Sequence, residues 1–404
     1  MIEPKLRFKA DDGSQFPDWE EKTFNDVADY KKGPFGSALK KEIFVPKSND
    51  TVKVYEQQNA ISKDWKLERY FVTNEYFQSK MKSFAVSGGD IIVSCAGTIG
   101  EMYELPHDAE EGIINQALMR VRIKKSVINS MIFRCVFDKM ISTEGVKISN
   151  GSALKNIPPF ADMKKQSVFV PSLPEQQKIA EFLSTIDTVI AKQKETVSAW
   201  EERKKGVMQK LFSQEVRFKA DDGSNFPDWE EKKLGDIADV IMGQSPDGDS
   251  VNLNDGLYLI QGKADLLGSN IVPERLTNKP TKICEPLDLV MTVRAPVGYV
   301  VRIEFKACIG RGVCAIRAKK IDSNYLLHYM TFKESEWKKI EQGSTFTAVN
   351  SDDVKTFKVS VPCLKEQQKI ADCLSSLDEV IEKQKATLTA WEELKKGLLQ
   401  QMFV

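Results

Sequence analysis

Apolar positions recur alternately every four and every three residues over two long stretches of the chain. The first series is Ile179, Leu183, Ile186, Ile190, Gln193, Val197, Trp200, Lys204, Val207 and Leu211. The second is Ile370, Leu374, Leu377, Ile381, Gln384, Leu388, Trp391, Lys395, Leu398 and Met402. This is the a/d seam of a heptad repeat, held over four heptads with the same polar breaks, and it predicts two long helices. A seam this narrow requires a partner helix, and the other copy is the obvious one; the alternative is that each helix packs on its own domain. Gln193 and Gln384 fall inside the seam, where an amide costs stability and fixes register. Trp200 and Trp391 read as seam anchors. Pro174 suits a first helical turn, and Glu175 suits the positive end of the helix dipole. A continuous helix over residues 174–212 would be about 58 Å long at 1.5 Å per residue.

Outside these stretches the pattern changes to short β-rich runs with a few helices, such as "SVINSMIFRCVFDKM". The runs fall in the same order before each helix. "DIIVSCAGTIG" (90–100) matches "DLVMTVRAPVG" (288–298), and "INQALMRVR" (114–122) matches "IGRGVCAIR" (309–317). "NGSALKNI" (150–157) matches "QGSTFTAV" (342–349). The expectation is α/β: two globular domains, each with a mixed, strongly bent sheet, at residues 1–169 and 214–360. Helical regions follow at 170–213 and 361–404.

Repetition sharpens this division. "RFKADDGSQFPDWEEK" (7–22) returns 210 residues later with 15 of 16 positions identical. Residues 170–212 return at 361–403 with 27 of 43 identical, now offset by 191. Near-constant segments thus frame variable ones of unequal length. The 16-residue repeat reads as scaffold: "ADDGS" is turn chemistry, and Trp19 or Trp229 is a bulky anchor. Its sequel, "TFNDVADY" or "KLGDIADV", reads as a short helix or strand lead-in.

Composition narrows the chemistry. The 404 residues carry no net charge. Residues 22–170 hold 22 Lys and Arg against 17 Asp and Glu, and residues 232–361 hold 18 against 16. Both are mildly basic, which is compatible with nucleic-acid binding. Seven cysteines without a Cys-x-x-Cys pair imply free buried thiols in a reducing, cytoplasmic setting. No apolar run approaches a membrane span, and the N-terminus lacks a signal-peptide core. Two isolated histidines, His107 and His328, leave little material for a metal site or a catalytic triad. "NIPPF" (156–160) resembles the Asn-Pro-Pro-aromatic motif of adenine methyltransferases, but Ile157 separates Asn156 from the prolines, and the second copy lacks the string. No Gly-rich cofactor loop or Walker A string is present. What remains is a binder with two different heads on a helical ruler. DNA with two half-sites, about 34 Å apart per helical turn, suits such a ruler.

The doubled "PSLPEQQKIAEFLSTID" (171–187) and "PCLKEQQKIADCLSSLD" (362–378), supported by "FPDWEEK" and "GTIG", resemble the specificity subunits of type I restriction–modification enzymes. The resemblance covers essentially the whole chain. "VRAPVG" departs from "AGTIG", which bears on what that loop contacts, and "CLKEQQ" departs from "SLPEQQ". The resemblance implies two target recognition domains and two helical regions that pair as an antiparallel coiled coil with pseudo-two-fold symmetry. It implies a non-catalytic chain that addresses double-stranded DNA and docks two modification (methyltransferase) subunits, which restriction subunits join. S-adenosylmethionine, ATP and Mg would be used by those partners, with no cofactor or metal bound by this chain.

Loops rich in Lys, Arg, Gln, Ser and Gly are the candidate DNA contacts. In the first domain these are Lys31, Lys32, Gly33, Phe35, Ser37, Lys40, Thr98, Ser152 and Lys155. In the second they are Gln244, Ser245, Gln261, Lys263, Arg294, Ser344 and Thr345. Rival readings are an orphan or modification-only DNA binder, a coiled-coil adaptor joining two proteins, and a single-chain restriction–modification enzyme. The last would need methyltransferase motifs that the chain lacks.

Overall fold

The computed structural model describes residues 4–148, 160–267, 270–271, 273–337 and 348–403. The chain divides into two units. One comprises Met1–Ala191 with Thr389–Val404, and the other comprises Lys192–Leu388.

In the first unit the repeated 16-residue segment ends in the strand Glu20–Thr23, antiparallel to Ser167–Val170. A one-turn helix, Phe24–Val27, follows it, and then the strand Ala28–Lys32. That strand edges a four-stranded antiparallel sheet completed by Leu118–Ile123, Ile91–Ser94 and Met102–Glu104, in that order. A second four-stranded sheet runs Tyr70–Thr73, Thr51–Tyr55, Gly112–Ile114, Ala85–Val86, with Thr51–Tyr55 and Gly112–Ile114 parallel. Each domain therefore holds two main sheets beside short two-stranded pairs, where the sequence pattern suggests one strongly bent sheet. The chain passes between them at residues 115–117. There Asn115 and Gln116 break the apolar run that reads as a single strand.

Burial explains the unbroken apolar strings. Every residue of Ile91–Ser94 is buried. Ile91 and Val93 join the core under the helix Ser130–Ile148, while Ile92 enters a separate cluster with Tyr55 and Ile114. A strand covered on both faces has no reason to alternate with polar residues.

The second unit repeats this plan. Glu230–Lys233 pairs with Lys358–Val361. The antiparallel sheet runs Ala238–Met242, Val313–Ala318, Leu289–Thr292, Val300–Arg302. A second, five-stranded sheet contains the parallel pair Leu257–Ile260 and Ala307–Ile309. Leu289 and Met291 face the core beneath the helix Ser323–Phe332, and Val290 faces the opposite cluster.

The long helices are Leu173–Phe212 (40 residues) and Leu364–Met402 (39 residues). Each begins against its own domain through the same buried side chains. Glu175, fully buried, accepts from Trp19 Nε1 (3.1 Å) and from Arg7 Nε and Nη2 (3.2 and 2.9 Å). Gln176 donates to the carbonyls of Pro171 (2.8 Å) and Val127 (2.9 Å), and accepts from the Asn129 N–H (2.7 Å). Glu366 makes the same contacts with Trp229 (3.0 Å) and Arg217 (3.1 and 2.8 Å), and Gln367 with Pro362 and Asp322. The repeated opening segment therefore supplies the Arg and Trp that neutralise and cap a buried carboxylate at a helix start.

The helices also run antiparallel within each unit. In the second unit Gln193 Nε2 donates to Gln384 Oε1 (2.7 Å) and to its carbonyl (3.0 Å). There Lys204 pairs with Asp378 (2.5 Å) and Lys385 with Glu201 (2.9 Å). In the first unit Lys395 pairs with Asp187 (2.5 Å). Ile186, Ile190, Val197 and Ile381 are buried, while Leu377, Leu388, Trp200 and Trp391 are half-buried. The N-terminal seam residues have a different role from the one the heptad pattern alone suggests. Ile179 and Leu183 enter the first domain's core beside Met402 and Phe403, and Ile370 and Leu374 enter the second beside Met208, Leu211 and Phe212. Each core is closed by the start of one long helix and the end of the other.

All seven cysteines are free, with Cys95, Cys284, Cys308 and Cys314 buried. Among the described residues no helix is long and apolar enough to cross a membrane.

Candidate nucleic-acid interface

The polar loops of the first unit gather where its two sheets meet. Residues 115–117 turn the chain from the parallel-paired strand Gly112–Ile114 into Leu118–Ile123, and backbone bonds fix the turn from several sides. The N–H of Gly33 donates to Leu118 O (2.8 Å), Asn115 to Tyr55 O (3.0 Å), Cys95 to Ala117 O (2.8 Å), and Leu118 to Asn115 O (3.2 Å). Gly33 approaches so closely that a Cβ there would lie 1.8 Å from the Asn115 carbonyl oxygen. Gln57 Nε2 donates to the carbonyls of Ala96 (2.5 Å) and Thr98 (3.0 Å), joining the loop that carries Thr98 to the same place.

The second unit builds the same junction from different residues. The N–H of Gly243 donates to Val313 O (3.0 Å), Gly310 to Ile260 O (2.7 Å), Val293 to Gly312 O (2.9 Å), and Val313 to Gly310 O (3.2 Å). A Cβ on Gly243 would lie 2.1 Å from Gly310 O. The frame is shared bond for bond, and the exposed side chains upon it are not.

The predicted residues take distinct places around these junctions. Lys31 and Lys32 lie on Ala28–Lys32. Lys32 is exposed, while Lys31 Nζ sits 4.6 Å from the centre of the Phe84 ring. Phe35 is 89% exposed, the highest value among the exposed large apolar residues described. Its loop is pinned by buried Leu39 and by the Tyr76 hydroxyl donating to Ala38 O (2.7 Å). Ser37, on the one-turn helix Gly36–Ala38, and Lys40 and Thr98 are exposed. Gln244 is exposed, and its carbonyl accepts from Thr281. Ser245 accepts from the Arg311 N–H (3.2 Å), so its hydroxyl supports the turn. The Gln261 N–H donates to Asp265 (2.7 Å), and Gln261 Oε1 accepts from Arg275 (3.4 Å). Lys263 is exposed, its Nζ 5.2 Å from the centre of the Tyr299 ring. Arg294 is exposed and its backbone bridges to Ala348. Ser152, Lys155, Ser344 and Thr345 lie outside the described residues.

Charge pairing is also duplicated, at the far ends of the strands that lead away from each junction. Asp90 forms a two-bond pair with Arg122 (2.6 and 3.0 Å), as Asp288 does with Arg317 (2.9 and 2.7 Å). The carboxylate bonds hold both guanidinium groups firmly charged, above their ordinary range. Burial pushes the Cys95 thiol up to about 12, so it is an inert part of the frame. Residue patterns alone overlook Gln57, Asn115, Gln116, Arg275 and Arg311. The available signal is the short break in each apolar string, Asn115 with Gln116 in the first and Gly310-Arg311-Gly312 in the second.

These features define a duplicated α/β scaffold with two similarly framed, differently decorated polar junctions. Two solved structures share this fold. One, from work on assembly and conformational transition of the type I R-M system, gives a TM-score of 0.59 at 21% identity over 96% of this chain and 98% of that one. The other, a type I restriction–modification S subunit from M. genitalium, gives 0.55 at 15% identity over 100% and 99%. The profile of the type I restriction modification DNA specificity domain matches residues 17–198 and again 227–390. The chain belongs to this family, as a type I specificity subunit: a non-catalytic DNA-recognition component. Two relatives come from Methanocaldococcus jannaschii. The putative type I restriction enzyme MjaX specificity subunit is 34% identical over 249 residues, covering 59% of this chain and 58% of that relative. The type I restriction enzyme MjaVIII specificity subunit is 22% identical over 431 aligned positions, covering 97% and 94%.

Proposed function

We propose that this chain reads a bipartite, asymmetric DNA target, one half-site per recognition domain, and scaffolds the complex that acts on it. The observation that carries this reading is the pair of junctions. Four backbone bonds repeat in each, while the exposed residues differ, as two readers of two unlike half-sites require. The recognition domains are residues 1–169 and 214–360. The helical regions, 170–213 and 361–404, dock two modification subunits and through them the restriction subunits. S-adenosylmethionine, ATP and Mg serve those partners; this chain's residues bind and orient DNA. Exposed Lys32, Lys40 and Lys263 suit phosphate contacts, which position the protein without reading sequence.

The test is co-expression with a modification subunit in a methylation-free host, followed by mapping of N6-methyladenine. The expected outcome is one asymmetric motif in two parts with a fixed unread gap. A single contiguous motif would contradict the reading.

A further inference from the structure

The turn between the two sheets carries one exposed position in each unit. In the first unit it is Gln116, between half-buried Asn115 and Ala117; in the second it is Arg311, between buried Gly310 and Gly312. The four repeated backbone bonds make these two positions equivalent. Among the described residues neither side chain has a partner: no hydrogen bond involves the Gln116 amide, and no hydrogen bond or ion pair involves the Arg311 guanidinium. Each is a multivalent polar group on a rigid turn, unsatisfied by the protein and flanked by exposed candidates. Lys32 and Thr98 flank the first, and Gln244 and Arg294 the second.

This combination differs from an ordinary surface charge in two respects. A solvated surface residue usually sits on a helix face or a mobile loop, whereas these sit where two sheets are bolted together. Rigid elements hold a recognition group to the tolerance that base reading needs. The chemistry also differs between the copies in an informative way. Gln presents the donor–acceptor pair that matches the N6 and N7 edge of adenine, and Arg presents the paired donors that match O6 and N7 of guanine.

We infer that Gln116 and Arg311 are equivalent base-reading positions, Gln116 reading an adenine in one half-site and Arg311 a guanine in the other. This rests on the proposed two-part DNA target and names the residues that set one base in each part. The surrounding lysines set affinity, and these two set sequence.

The experiment uses the full chain with its modification subunit, and methylome mapping of the wild type beside Arg311→Gln, Arg311→Ala and Gln116→Arg. The wild-type map tests the two-part reading by itself, and no methylation or a single contiguous motif there refutes that reading and this inference together. Given a two-part wild-type motif, Arg311→Ala is expected to relax a single guanine by roughly ten- to hundred-fold in preference, leaving the other half unchanged. Arg311→Gln is expected to shift that position toward adenine, and Gln116→Arg to shift one position of the opposite half from adenine toward guanine. Both positions are exposed, so unfolding midpoints should match the wild type. Methylation that falls uniformly with no change in motif would overturn the inference by making Arg311 a phosphate contact. Methylation unchanged in level and motif would overturn it outright.

Discussion

Glu175 and Glu366 are fully buried carboxylates, and each depends on one Arg and one Trp from the repeated opening segment. Removing one member of a buried ion pair strands the other, at a cost of about 3–5 kcal/mol. Arg7→Met is therefore expected to lower the urea-unfolding free energy of the first unit by about that amount, and Arg217→Met to do the same to the second. A loss well below 1 kcal/mol would show that the pair is not what anchors the helix start. His328 carries a pH signature. It is buried, with Nε2 3.1 Å from Ser375 Oγ and Nδ1 3.8 Å from Asp378. Burial, and after it the positive charge of Lys204, holds His328 down to about 4, against the opposing pull of Asp378, the carboxylate that Lys204 already pairs with. The unfolded chain therefore takes the proton first as pH falls below about 6.5. The contribution to stability is complete above that pH and is lost as pH falls from about 6.5 toward 4. His328→Cys, which installs the residue type found at the equivalent Cys135, should flatten the pH dependence of the urea midpoint between pH 7.5 and 5. Residue types made these sites partly legible. Trp19 reads as an anchor and Glu175 as a helix-start acid, but the bond between them spans 156 residues, and no local pattern encodes it.

At the scale of elements, Pro174 and Glu175 placed the start of the first long helix within a residue of the observed Leu173, and heptad spacing placed Gln193 and Gln384 in a shared seam. A single Gln193→Leu strands the Gln384 amide and should cost about 1–3 kcal/mol. The double variant Gln193→Leu, Gln384→Leu should recover that loss by restoring an apolar layer, while weakening the specification of register. Thermal unfolding of the two single variants and the double variant measures the coupling, and simple additivity would contradict a direct pair. The same periodicity could not reveal that Ile179, Leu183, Ile370 and Leu374 serve domain cores. A helix face has the same spacing whether it meets another helix or a sheet. The sheets were legible as strands but not as two layers, because Ile91–Ser94 is buried on both faces and gives no alternation from which to assign sides.

For the molecule as a whole, duplication is the organising fact. Near-identical segments supply the helix starts and the cross-helix pairs, and divergent segments supply the junction residues. That division was readable from the repeats. Which divergent residues matter was not, because the turns at 115–117 and 310–312 acquire meaning only when four separate segments converge on them. If the two domains read DNA independently on a common frame, an exchange of one must leave the other's reading intact. The most direct measurement replaces residues 23–169 with the corresponding segment of a family member of different, known specificity, and maps N6-methyladenine after co-expression with the modification subunit. The account predicts that one half of the motif changes to the donor's while the other half stays as it was. A motif altered in both halves, or in neither, would contradict it.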